Sequence, residues 1–215
     1  MKIDPTAWAE VQHHEADYWG NCLGMRAWGE FVKQEMYGRE MGLFDAYGKD
    51  GELVMGGRSV LDVGGGPVSM TLRCWDSPNL VVVDPCQWPA SVERRYRNYG
   101  IKFICGAGED LDRIALPVPM LNSGRFDEVW CYNVLQHVQD PAKVVKNALA
   151  RIAPGGVFRI FEWLNIPADE CHPHVLTAEW LLSTLTRCKV ERIRIRRLKE
   201  YWSDADALAG VFSNG

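Results

Sequence analysis

The chain has 215 residues, 47% of them apolar and 24% charged, with a formal net charge of −4. Length and composition suit one globular domain with a modest appendage, large enough to bury a core. The acidic balance gives no global attraction to nucleic acid, no run approaches the roughly 18 apolar residues of a membrane span, and Met1-Lys2-Ile3-Asp4-Pro5 lacks the apolar stretch of a secretory leader, so a cytoplasmic protein without membrane contact is expected.

Asp4-Pro5 predicts a helix start and Gly20 its end, with Trp8, Val11, Glu15, Tyr18 and Trp19 on one side and His13 and His14 beside them. A second helical run over 25–38 carries Trp28, Phe31, Val32 and Met36. Gly38, Gly42, Gly48, Gly51, Gly56 and Gly57 then suggest a loop-rich approach to the first strand. Residues 1–57 are therefore read as a helical cap or lid, and 58–215 as an α/β domain. From Val60 onwards, strands are expected at 58–63, 80–83, 101–105, 126–131 and 157–162, with helices at 67–75, 88–98, 141–152 and 178–187. The alternating run Val190–Arg196 and a last strand at 207–212 lie close enough to pair antiparallel. The sum is a doubly wound, seven-stranded, mainly parallel sheet with an antiparallel C-terminal strand.

The chemistry concentrates at Val60-Leu61-Asp62-Val63-Gly64-Gly65-Gly66, a short strand running into a glycine turn. A second acid, Asp84, ends the next strand twenty residues beyond Gly64. Bare backbone admits a ligand at close range, and a strand-terminal carboxylate accepts hydrogen bonds from ribose hydroxyls, so a nucleoside-bearing cofactor is expected. Ser69 stands where a dinucleotide-binding turn has Gly or Ala, which weighs against a nicotinamide cofactor.

These residues carry a resemblance. With Val82-Val83-Asp84-Pro85, the block Phe126–Val138 and the run Leu149–Gly156, the segment 58–165 resembles class I S-adenosylmethionine-dependent methyltransferases of the broad group called methyltransferase type 11. The resemblance implies a Rossmann-like fold, S-adenosylmethionine as cofactor and S-adenosylhomocysteine as product. It further implies cofactor contacts from the Gly64, Gly65 and Gly66 backbone, from Asp62, which would order that turn and meet the cofactor's ammonium directly or through water, and from Asp84, with Pro85 beside it, to both ribose hydroxyls. Asn133 would hold the methionyl end. Where the family often has an aspartate that reads adenine, this chain has Ala107, so Gly108 and Glu109 inherit that place. His137, just past the cofactor-facing loop, is the candidate general base if the acceptor must lose a proton.

The segment Asp169–His174 follows the fifth strand, where this fold places substrate loops, so His172 and His174 are substrate candidates, joined by His14, Tyr18 and Trp19 of the cap. Seven scattered cysteines without a Cys-x-x-Cys pair read as reduced thiols, and no metal site is expected. The basic run Arg192, Arg194, Arg196, Arg197 and Lys199 reads as a solvated sheet edge. The expected activity is methyl transfer to a small molecule, with oxygen favoured over nitrogen because His137 offers a base. The rival readings are a nucleic-acid methyltransferase, a nicotinamide-dependent oxidoreductase and an inactive cofactor-binding partner.

Overall fold

A computed structural model describes residues 3–116, 124–199 and 204–214. Helix α1 (Pro5–Trp19) starts where Asp4 accepts from the amides of Thr6 and Ala7, at 2.9 and 3.3 Å, and ends at Gly20 with φ 48°. Helix α2 (Met25–Glu40) runs past the expected end at 38. The glycine-rich stretch after it is more ordered than a loop. It holds α3 (Leu43–Tyr47) and a hairpin of β1 (Gly48–Lys49) and β2 (Glu52–Val54). Leu43 and Leu53 are fully buried and anchor this segment despite its glycines.

Next come β3 (Val60–Val63), β4 (Cys74–Trp75), β5 (Leu80–Asp84), α4 (Ala90–Asn98) and β6 (Ile101–Cys105). Then follow β7 (Phe126–Tyr132), α5 (Pro141–Ala150), β8 (Ile152–Trp163), α6 (Ala178–Thr184), β9 (Cys188–Lys199) and β10 (Asp204–Asn214). Seven strands form one sheet in the order β6-β5-β3-β7-β8-β10-β9. β6, β5, β3, β7 and β8 pair in parallel, and β10 pairs antiparallel with both β8 and β9. This is the Rossmann-like sheet that the alternation of strands and helices predicts.

Alternating side chains let the sheet bury both faces. Val60, Val82, Trp130 and Phe161 join one apolar cluster with Tyr37 of α2 and Tyr96 of α4. Leu61, Val63, Cys131 and Ile160 join the other with Val144 and Ala148 of α5 and Leu181 of α6. Every residue of β3 and β5 is buried, the mark of parallel strands covered on both sides. Glu128 of β7 is also fully buried, and accepts from Arg159 Nε at 2.7 Å, the Tyr47 hydroxyl at 2.6 Å and the Trp130 indole at 3.0 Å. With its charge so fully met, that acid moors α3 to the sheet.

One expected helix is absent. Residues 67–75 hold a single 3-10 turn, Met70–Arg73, and then β4, which pairs with β2 in a second, three-stranded sheet. Ser69 keeps an extended backbone and caps the Thr71 amide, while the Val68 carbonyl accepts from the Gln34 side chain, so no helical ladder reaches back to Pro67. β8 also starts earlier than the expected 157, at Ile152, and its register with β7 shifts across Pro154-Gly155-Gly156. α5 and α6 stop at Ala150 and Thr184, short of the expected 152 and 187.

Candidate active site

The strand order turns back at β3, which lies between β5 and β7, so the loops leaving these strands open a crevice at their carboxyl ends. The chain encloses a cavity of about 310 Å³ there. Its floor is the glycine turn. Gly64 and Gly66 have φ of 78° and 63°, a left-handed conformation that costs other residues about 1–2 kcal/mol. Space is also short: a methyl on Gly64 would lie 2.5 and 2.6 Å from the two Val134 methyls, and one on Gly65 2.7 Å from Asp62 Oδ2. Bare backbone therefore faces the cavity and forms a cradle for a ligand.

Asp62 lies beneath that cradle, 0% exposed and outside the cavity lining. Its Oδ2 accepts from the hydroxyls of Ser69 and Tyr132, and its Oδ1 has no hydrogen-bond partner among the described residues. Burial pushes the carboxyl up to about 7, with the Ser69 and Tyr132 hydroxyls pulling the other way. Asp62 thus orders the turn, bracing it from below, and its carboxylate is not part of the cavity lining. Ser69, which departs from the dinucleotide pattern, supplies one of the two braces.

Asp84 ends β5 and does face the cavity, beside Pro85. Its Oδ2 accepts from the Gly66 amide at 2.9 Å, and its Oδ1 from the Cys86 amide at 2.9 Å and the Trp88 indole at 3.0 Å. Burial raises this carboxyl to about 6 against those donors. A carboxylate offers about four acceptor sites. Three are spent on the protein's own groups, two on Oδ1 and one on Oδ2, which leaves an acceptor position on Oδ2.

Gly108 and Glu109 line the cavity as expected. Glu109 Oε1 accepts from the amides of Gln139 and Asp140, at 2.8 and 2.9 Å, while its Oε2 is buried with no partner among the described residues. Such an orphaned acceptor in a cavity wall fits a ligand amino group. Ala107 offers no side-chain acceptor of its own. Asn133 follows β7 with φ 57°, its amide donating to the Phe161 carbonyl at 2.7 Å and its Oδ1 accepting from Gln136. Glu162 of β8 holds the same loop: fully buried, it accepts from the amides of Val134 and Leu135, each at 3.0 Å. Burial pushes the Glu162 carboxyl up to about 8. Sequence reasoning overlooks this residue, although an acid inside the apolar run of β8 is a signal.

Helices α1 and α2 roof the cavity. Trp8 Nε1 and Gln12 Nε2 both donate to the His137 carbonyl, at 3.1 and 3.3 Å. Glu15, Tyr18 and Trp19 line the roof from α1, and Lys33 from α2 lies 2.6 Å from Glu30 and 5.1 Å from the Trp19 ring. Burial raises the Glu15 carboxyl, which the Trp19 indole partly offsets.

His137 and His172 line the remaining wall with ring centroids 4.5 Å apart. His137 Nδ1 lies 2.9 Å from the Cys171 carbonyl, and burial takes its imidazole down to about 3, so the ring is neutral at neutral pH. Among the substrate candidates, Tyr18, Trp19 and His172 reach the cavity. His14 is exposed on α1 outside the lining, and His174 is buried with Nε2 2.7 Å from the Val138 carbonyl, a packing position. Arg192, Arg196 and Arg197 of β9 pair with Asp45 of α3, Glu40 of α2 and Asp204 of β10, outside the cavity lining. Among the described residues, no group of His, Cys, Asp and Glu is arranged to hold a metal ion.

Residues 61–160 match a family model described as a methyltransferase domain. The ubiquinone biosynthesis O-methyltransferase of Chromobacterium violaceum is 33% identical over 148 residues, which is 67% of this chain and 60% of that protein. Its counterpart in Azotobacter vinelandii is 29% identical over 159 residues, 72% of this chain and 66% of that protein. The chain thus spans less than two thirds of either relative. In fold it is similar to the N-methyltransferase NodS from Bradyrhizobium japonicum in complex with S-adenosylhomocysteine, at 18% identity and TM-score 0.57, covering 84% of this chain and 86% of that one. It is also similar to the 1,6-didemethyltoxoflavin-N1-methyltransferase of Burkholderia thailandensis, at 15% identity and TM-score 0.65, covering 99% and 92%.

Proposed function

The chain belongs to the class I S-adenosylmethionine-dependent methyltransferases, and from that premise we propose that it moves a methyl group to a small-molecule acceptor, with oxygen rather than nitrogen receiving it. The observation that carries this reading is the roofed cavity of about 310 Å³ between the glycine turn and α1 and α2, near the lower end of the roughly 300–1,000 Å³ of small-molecule sites. A nucleic-acid strand would need an open basic track, whereas Glu15 and Glu30 stand in this roof and Arg192, Arg196 and Arg197 of β9 are paired elsewhere. The naming of the curated relatives as O-methyltransferases supports oxygen.

S-adenosylmethionine, when bound, supplies a methyl group on an already activated sulfonium. The protein's share is to hold the donor, aim the acceptor along the transfer axis and keep water out. Gly64 and Gly66 would give backbone approach, Asp84 Oδ2 would accept a ribose hydroxyl, and Glu109 Oε2 would accept from the adenine amino group. The Asn133 loop, clamped by Glu162, would border the methionyl end, and the aromatic roof of Trp8 and Trp19 would exclude water.

Calorimetry with S-adenosylhomocysteine tests the placement. Replacing Asp84 with Ala removes a charge-assisted acceptor, and the expected loss is on the order of 2 kcal/mol, about thirtyfold in affinity. A folded Asp84→Ala protein that binds as tightly as wild type overturns it. Methyl transfer from labelled S-adenosylmethionine to amines, with none to phenols or alcohols, would correct the choice of oxygen.

A further inference from the structure

We propose that His172, held by Asp169, takes the acceptor's proton, a role the sequence assigns to His137; this rests on the oxygen reading above. Both rings stand in the cavity wall, so proximity does not separate them. Their partners do. His137 Nδ1 faces a carbonyl at 2.9 Å, which accepts only, so that nitrogen carries the proton and Nε2 is bare. Yet burial, His172 and Lys33 all oppose a positive charge on this ring, and the nearest carboxylate, Glu15, is 3.8 Å away. A base that cannot keep the proton it removes contributes little.

His172 has the opposite surroundings. Its Nδ1 lies 2.9 and 3.0 Å from the two oxygens of Asp169, and Asp169 Oδ1 is itself fixed by the amides of Cys171 and His172, at 2.9 and 2.7 Å. The carboxylate accepts from Nδ1–H, which leaves Nε2 as the acceptor nitrogen and stabilises the imidazolium once formed. The groups facing His172 are Asp169 on its own loop, His137 on the loop after β7, Glu15 on α1 and, beyond Glu15, Lys33 and Glu30 on α2. In the transfer, the acceptor oxygen forms its bond to the methyl carbon as the carbon–sulfur bond breaks and its electrons return to sulfur. The hydroxyl proton passes to His172 Nε2, and the positive charge moves from sulfur to imidazolium, which later releases the proton to water.

The test pairs turnover with imidazole NMR. Catechol, 3,4-dihydroxybenzoate and caffeate are offered with S-adenosylmethionine to wild type, His172→Gln, Asp169→Asn, Asp169→Glu and His137→Gln. His172→Gln should lose roughly 100- to 10,000-fold in kcat, the usual worth of a general base, while its S-adenosylhomocysteine affinity holds. Asp169→Asn removes the carboxylate that orients the ring and should lower kcat with S-adenosylhomocysteine affinity kept, Asp169→Glu should restore much of that loss, and His137→Gln should fall by less than His172→Gln. Independently of activity, imidazole NMR of the ligand-free protein should find the neutral His172 proton on Nδ1, with Nε2 bare. Transfer that survives His172→Gln, or a neutral His172 ring that carries its proton on Nε2, overturns the proposal alone. No transfer to any hydroxyl, with S-adenosylhomocysteine still bound, refutes the oxygen reading and takes this one with it.

Discussion

A methyl group added at Gly64 tests whether the glycine turn and the loop after β7 are one packed unit. At φ 78° the backbone alone charges Gly64→Ala about 1–2 kcal/mol. The new methyl would also meet the stiff, branched Val134 at 2.5 and 2.6 Å, and overpacking of this kind costs about 1–3 kcal/mol. The sum is about 2–5 kcal/mol. In a chain of this size each kcal/mol moves Tm by about 2–4 °C, so the variant should melt on the order of 10 °C below wild type by calorimetry. Val134→Ala, which deletes two methyls of a side chain only 8% exposed, should cost about 1–2 kcal/mol by itself. In the double variant the collision is gone and the φ penalty stays. Its stability should therefore exceed the additive expectation by about 1–3 kcal/mol. Strict additivity would refute the claim that Val134 is what holds position 64 to glycine.

Glu162→Ala leaves two buried amides without an acceptor, at about 1–3 kcal/mol each, whereas Glu162→Gln keeps a carbonyl for them; thermal unfolding should separate the pair clearly, and equal losses would argue against the clamp. Asp62 makes a pH-dependent contribution. Its folded-state value of about 7 lies above the ordinary aspartate value of 3.8, so the stability it lends is full below pH about 4 and is lost as pH rises through about 7. In urea unfolding, wild type should weaken relative to Asp62→Asn across that window, and parallel curves would sink the assignment. Trp8→Phe combined with Gln12→Ala frees α1 from the His137 carbonyl; at about 1 kcal/mol per bond, amide exchange in α1 should quicken about tenfold or more, with that of β3 and β5 unchanged. Exchange in α1 that does not change would mean the roof is held by something else.

What was legible in the sequence was what local pattern writes. β3 and β5 are short apolar runs with an acid at or next to the carboxyl end, and α5 is announced by Asp140-Pro141, so all three appear close to where expected. The features that were missed are pairings between distant residues. The helix after Pro67 fails because Gln34 takes a carbonyl and Asp62 takes the Ser69 hydroxyl, and neither bond leaves a trace in the local pattern. Tyr132 reaches Asp62 across 70 positions and Glu162 reaches Val134 across 28, which is why the brace and the clamp stayed hidden. Asp62 and Asp84 both stand near the carboxyl ends of neighbouring strands, but their exposure decides their work: one is sealed under the glycines and one opens on the cavity. The sequence singles out His137 by its place beside a motif, while its hydrogen-bond partner, Cys171, comes from a loop 34 positions away.

Helix α1 has an evolutionary consequence. Val11 is its one buried residue, yet Trp8, Gln12, Glu15, Tyr18 and Trp19 all look into the cavity. Away from the Trp8 and Gln12 bonds to the His137 carbonyl, substitutions on such a lightly anchored helix usually change stability by less than about 0.5 kcal/mol. The cavity-lining residues of α1 are thus largely uncoupled from those that keep the chain folded. A lineage carrying this scaffold could exchange its substrate by rewriting one helix, with the donor floor and the sheet beneath it inherited intact.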